Sequence, residues 1–142
     1  MKHFKNSFGF TLIELLIVLG ITATVSAIGA GVYINQQRNK LLDTTVNEIV
    51  QFLHYAQQKA VNQEKGLNWG VRFSNTANDY YSSYSGDIYS ASEEIHYLPE
   101  GIQFIQPTDN NNLDILFFKL LGTSSGGTII VQGYFDRYVV IR

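Results

Sequence analysis

From Phe10 to Ile34 the chain runs through 25 residues, FTLIELLIVLGITATVSAIGAGVYI, in which Glu14 is the one formal charge. At about 1.5 Å per residue, a helix of this length spans a hydrocarbon core of roughly 30 Å with some to spare. The polar stretch Asn35-Gln-Gln-Arg-Asn-Lys40 ends the apolar run but not the helical pattern. Leu42, Val46, Ile49, Leu53, Ala56 and Ala60 recur at intervals of three and four, with Asn47, Glu48, Gln51, Gln58 and Lys59 between them. That spacing predicts one amphipathic stripe facing a core, with Gly66 as its stop. Joined to the apolar run it makes a single helix of about 55 residues.

Beyond Gly66 the period changes. Leu67–Ser74, Ile102–Ile105, Ile115–Leu121, Thr128–Gln132 and Arg137–Ile141 are short runs of β type, separated by Gly, Asn, Asp, Ser and Pro. Gly122-Thr-Ser-Ser-Gly-Gly127 reads as a hairpin loop between two of them. Tyr80–Ser92, rich in Tyr and Ser, reads either as a strand pair or as an irregular surface loop. The expectation is an α+β fold, a long N-terminal helix packed on a C-terminal antiparallel β-sheet domain. Its boundaries fall at 1–9, a short basic leader; 10–34, the transmembrane helix; 35–65, the amphipathic helix; and 66–142, the β-rich domain.

Charge and composition narrow the function. Net charge is −2 over 142 residues, and from Asn35 onward there are eight Lys/Arg against eleven Asp/Glu. A nucleic-acid binder needs a basic face that releases counterions from phosphates, so this balance argues against DNA or RNA as the main partner. The absence of cysteine excludes a disulfide framework, a Cys zinc site and thiol catalysis. Lys2 and Lys5 precede the apolar run and favour a cytoplasmic N-terminus, although Arg38 and Lys40 on its other side oppose that signal.

Glu14 carries the chemistry. A carboxylate deep in a spanning helix costs about 2.5–3.5 kcal/mol, which implies either snorkelling to the interface or a partner that appears on assembly. If the chain were cut after Gly9, the new amine of Phe10 on a neighbouring subunit would be such a partner. The string GFTLIELLIVLGI closely resembles the prepilin signature of type IV pilins and of the pseudopilins of type II secretion. The resemblance implies cleavage between Gly9 and Phe10 by a prepilin peptidase, which then methylates Phe10, and a role for Glu14 in assembly. Implied partners are that peptidase/methyltransferase, other pilin or pseudopilin subunits, an inner-membrane assembly platform and membrane lipid. No cofactor is implied. Many members carry a Pro along the anchor, where this chain has Gly29 and Gly31. Those glycines either soften the helix or let a neighbour pack closely.

Within that family, the missing cysteines leave no disulfide-closed loop and point to a minor pilin or pseudopilin. Phe52–Ala60 (FLHYAQQKA), the strand with Val71 and Phe73, and Thr128-Ile-Ile-Val131 look similar to H-type minor pseudopilins and their pilus relatives. Tyr80, Tyr81, Tyr84 and Tyr89 read as either sheet packing or a contact surface for a subunit or secreted client, with Tyr81 and Tyr84 as the contact residues. Relatives that take up DNA use a basic C-terminal segment; here it holds only Arg137 and Arg142 beside Asp136. The oxygen-rich Asp109–Asp114 lacks the Gly and terminal Glu of an EF-hand, and His3, His54 and His96 have no metal spacing. The Gly122 loop has no following Lys and no Ser lies in a nucleophile elbow, so no enzyme is expected. The competing reading is an exported binding domain behind an ordinary signal peptide cut after Val25-Ser26-Ala27.

Overall fold

The computed structural model describes residues 9–134 and 138–141, with the side chains of 28–30 left aside. One helix, α1 (Leu12–Val61), is followed by a 3₁₀ turn at Glu64–Gly66 and seven strands. These are β1 (Trp69–Ser74), β2 (Tyr80–Ser85), β3 (Glu94–Tyr97), β4 (Gln103–Gln106), β5 (Asn112–Phe117), β6 (Ile129–Gln132) and β7 (Tyr138–Ile141). The fold is α+β, and every strand pairing is antiparallel. The chain divides into two compact units between Gln37 and Arg38.

In the first unit α1 is apolar on all sides and exposed along its described length. In the second unit the same helix becomes amphipathic. Leu42, Ile49, Phe52, Ala56 and Ala60 are buried at helical spacing, with Val46 and Leu53 packed at their edge. A stripe of this kind is what period 3.6 produces when one face meets a sheet. α1 stops at Val61 rather than running to Gly66, because Gln63, Lys65 and Gly66 all take left-handed φ values of 53°, 57° and 68°. Gly66 is the residue that adopts such a φ without a Cβ penalty.

The strands form two sheets, β3-β2-β1-β5 and β4-β6-β7. Val71 lies opposite Ser83 on one side and Ile115 on the other, so Trp69, Val71, Phe73, Tyr81, Ile115 and Phe117 share one face of the first sheet. Phe104, Ile129 and Val131 of the second sheet join the same core, together with the α1 stripe.

Three sequence expectations are corrected here. Gly122–Gly127 does not close a hairpin between neighbouring strands, since β5 and β6 belong to different sheets. The chain folds back only briefly, with Phe118 N donating to Thr123 O and Ser125 N to Leu116 O, and then crosses to the second sheet. β5 spans Asn112–Phe117 rather than reaching Leu121. Leu120 takes φ 71° and Lys119 N donates to the Asn68 side chain, so these residues form a turn that leaves the sheet. The Tyr/Ser segment contributes a strand, β2, at an inner position of the first sheet, and Glu94–Tyr97 adds the edge strand β3 that apolar patterning does not reveal.

Candidate membrane-assembly site

The start of α1 is built by its own sequence. Thr11 is the N-cap: its hydroxyl oxygen accepts from Glu14 N at 3.3 Å. In return Glu14 Oε2 accepts from Thr11 N and from the Thr11 hydroxyl, each at 3.4 Å. The reciprocal pair is a capping box, closed through bonds long enough to be weak, and it places a carboxylate at the positive end of the helix dipole. Within one chain Glu14 therefore already has a partner. The reading of Glu14 from its charge alone passed over this, although Thr11-x-x-Glu14 ahead of an apolar run is the spacing that signals it. Gly9 and Phe10 lie just outside the helix and both are exposed.

Downstream, the polar side chains of the apolar segment satisfy themselves. Thr22 donates to Val18 O and Leu19 O, Thr24 to Ile21 O at 2.8 Å, and Ser26 to Thr22 O at 2.7 Å. Such back-bonding leaves no hydroxyl of these three seeking water, as a helix in lipid requires. A Cβ at Gly20 or Gly31 would meet nothing within 4 Å, so neither glycine serves packing inside this chain. Gly29 falls within 28–30, whose side chains lie outside the described ones. Among the described residues one helix, α1, is long and apolar enough to cross a membrane.

The tyrosines turn out otherwise than the surface reading expects. Tyr81 and Tyr84 are only 4% and 2% exposed, buried on opposite faces of β2. Tyr81 enters the core, edge-on to Phe52 at 5.1 Å. Tyr84 lies over Gly70 and edge-on to Tyr89 at 5.4 Å. Of the two readings the sequence leaves open, sheet packing is the one this burial matches, because strand alternation in an inner strand turns both side chains inward.

Asp109–Asp114 does not act as one loop. Asp114 belongs to β5, where its carboxylate accepts from Arg72 Nε at 2.7 Å and Nη2 at 2.6 Å, a bidentate pair. Tyr89 stacks on the same guanidinium at 3.7 Å. Among the described residues no three His, Cys, Asp or Glu side chains converge on a metal position. His3, Asp136, Arg137 and Arg142, and so both arginines of the C-terminal segment, lie outside the described residues.

Comparison with known proteins bears on the first unit alone. No curated protein and no solved structure matches the chain. The family model of the prokaryotic N-terminal methylation motif matches residues 4–30, the stretch that holds Gly9, Phe10, the Thr11–Glu14 box and the exposed apolar turns after it. This chain thus carries a prokaryotic N-terminal methylation motif that runs into an apolar helix of membrane-crossing length.

Proposed function

We propose that the chain is a structural subunit of a type IV pilus-like filament or a type II secretion pseudopilus, of the minor pilin or minor pseudopilin class. The observation that carries this reading is the methylation motif at residues 4–30, continuous with a helix whose apolar surface is uncovered. Residues 1–9 are the leader, removed by prepilin peptidase between Gly9 and Phe10, and Phe10 is then methylated. Residues 10–34 anchor the chain in the inner membrane with the C-terminal domain outside, until the assembly platform moves it into a filament. Residues 35–65 and 66–142 form that domain. Phe52–Ala60, β1 and Thr128–Val131 resemble H-type minor pseudopilins and their pilus relatives alike, which supports the minor class.

Glu14 has two successive roles in this scheme. Before assembly its carboxylate closes the capping box on Thr11. In the filament it neutralises the amine of Phe10 on a neighbour and sets the axial register, since an uncompensated carboxylate among apolar helices is costly. The weak geometry of the capping box lets the exchange occur at little expense. Expressed beside a prepilin peptidase, the mature chain should begin at methylated Phe10 by mass spectrometry. Glu14→Ala should leave that terminus unchanged and lower incorporation into filaments; normal filament levels would remove the register role. A terminus at Ile28 would instead establish an exported protein behind an ordinary signal peptide.

A further inference from the structure

The two sheets treat their outer faces differently. On the first, Arg72 and Asp114 form a bidentate pair, and the connection from β2 to β3 folds over it, with Tyr89 on the guanidinium at 3.7 Å and edge-on to Tyr84. On the second, Phe104, Ile129 and Val131 face the core. Strand alternation and pairing therefore turn Gln103, Gln106, Ile130, Gln132, Tyr138 and Val140 outward. None of these six is charged, and Tyr138 and Val140 are 63% and 40% exposed. An antiparallel sheet with one face in the core normally turns polar, solvated side chains to the other. Loss of charge together with tyrosine and branched aliphatics is instead the composition of an interface core.

The register sorts the six into two rows. Gln103, Gln132 and Tyr138 lie side by side across β4, β6 and β7, and Gln106, Ile130 and Val140 form the second row. In the first row Gln103 Nε2 donates to Gln132 Oε1 at 3.0 Å, which leaves the Gln103 amide oxygen at one end and the Tyr138 hydroxyl at the other. Within the second unit β6 runs alongside α1. Gly133 lies against Leu42, while Ile129 shares a wall with Val50 and Leu53 farther along the helix.

We propose that this face stacks on the same face of a second copy, about a twofold axis along β6. Such an axis sets β4 of one copy over β7 of the other. The Tyr138 hydroxyl of each copy then donates to the Gln103 amide oxygen of the other, and Ile130 meets its own counterpart on the axis. Because β6 runs along α1, the two α1 helices keep the same direction, as two copies in one membrane require. Charge selects this occupant. A foreign partner is steered and discriminated by complementary charge, and this face offers none. A self-pairing face sets side chains near their own kind, where any charge would repel itself.

Size decides where the contact forms. Three strands of four residues, about 4.8 Å apart, present about 200 Å². A stable interface buries about 800 Å² on each partner. The face therefore does not hold two copies together in solution, and it acts between chains whose helices already share a membrane, where effective concentration is high. The inference rests on the membrane anchoring of the reading above. A twofold pair is closed, so it is a resting form that parts before the chain enters a helical filament.

The chain has no cysteine, so an introduced thiol stands alone. The full-length chain carrying Ile130→Cys, expressed with prepilin peptidase and treated in intact membranes with a short bismaleimide, should give a dimer. Ile95→Cys, on the outer face of the first sheet and 48% exposed, should stay monomeric. One chain carrying both Gln103→Cys and Tyr138→Cys should stop at the dimer. Adding Ile130→Lys to that chain should abolish the link by setting two ammonium groups on the axis, and co-expression with its Ile130→Glu counterpart should restore it. The proposal is overturned if Ile130→Cys stays monomeric in the membrane, links only to a different protein, or links no better than Ile95→Cys. A ladder from the double variant would mean an open array and would overturn the twofold. If the chain is missing from the membrane fraction and begins at Ile28, the anchoring reading has failed, and this inference with it.

Discussion

Two isoleucines on one helix draw the contrast between the units of this protein. Ile17 is 57% exposed, and the leucines and valines around it are similarly bare; Ile49 has no exposed surface at all. Both residues favour the same rotamers and the same helix, so the difference lies in what surrounds them. From Leu42 onward the helix is covered by strands of its own domain. In the first unit no described residue covers it, and an apolar surface of that extent marks a place where another apolar environment takes over from water. Folding energy is therefore concentrated in residues 38–142, and the first unit's apolar surface is held back for an environment outside the chain.

The sharpest way to break this contrast is a matched pair of substitutions. Ile49→Ala should lower unfolding stability by about 2–5 kcal/mol through lost burial and a residual cavity. Ile17→Ala should leave it unchanged. Denaturant unfolding of the full chain in detergent, followed by Trp69 fluorescence, reads both. An equal loss from Ile17→Ala would mean that the first unit shares the folded core.

A smaller effect tests how tightly the second unit is packed on the sheet face away from α1. A Cβ at Gly70 would sit 2.2 Å from the Tyr84 ring, so Gly70→Ala should cost about 1–3 kcal/mol by overpacking. Combined with Tyr84→Ser the added cost should largely vanish, since the ring is the obstacle. A persistent penalty in that background would place the strain in the backbone instead.

The smallest effect is electrostatic. Hydrogen bonds from Lys65 Nζ and the Ser85 hydroxyl, each 2.6 Å, hold Glu93 below its ordinary 4.5. A carboxyl lowered on folding stabilises the domain above the unfolded value and loses that contribution as pH falls through the lower folded value. Unfolding midpoints should therefore drop on acidification below about 4.5, less steeply in Glu93→Gln, by an amount limited by the exposure of the pair. An identical acid slope in that variant would show that Glu93 contributes nothing measurable.

Much of the helix was legible in the residues because its signals are local. Leu42, Ile49, Ala56 and Ala60 were read as core from spacing alone, and Val46 and Leu53 proved to be its partly buried edge. Thr45 and Phe52, also buried, sit on the same stripe, but a hydroxyl side chain and a ring there fall outside the aliphatic series that marks it. β1 and β6 were recognisable from their β-branched and aromatic residues. β2 stays open between strand and loop in the residues, because a strand of Tyr and Ser at an inner position is apolar only by virtue of what covers it, and β3 does not show, because EIHY at an edge has no strong period.

Residues 4–30 alone, a contiguous string and an unbroken apolar run, determined the methylation motif, the capping box at Thr11 and Glu14, and a helix of membrane-crossing length. Each depends on neighbours within four residues or on length, so no distant contact was needed. Tertiary structure alone decided that β5 and β6 part into separate sheets and that Tyr81 and Tyr84 turn inward. It also set Gln103, Gln132 and Tyr138 from three strands into one uncharged row. Those outcomes depend on pairings between residues tens of positions apart, where burial against a partner, and not intrinsic preference, sets each side chain's place.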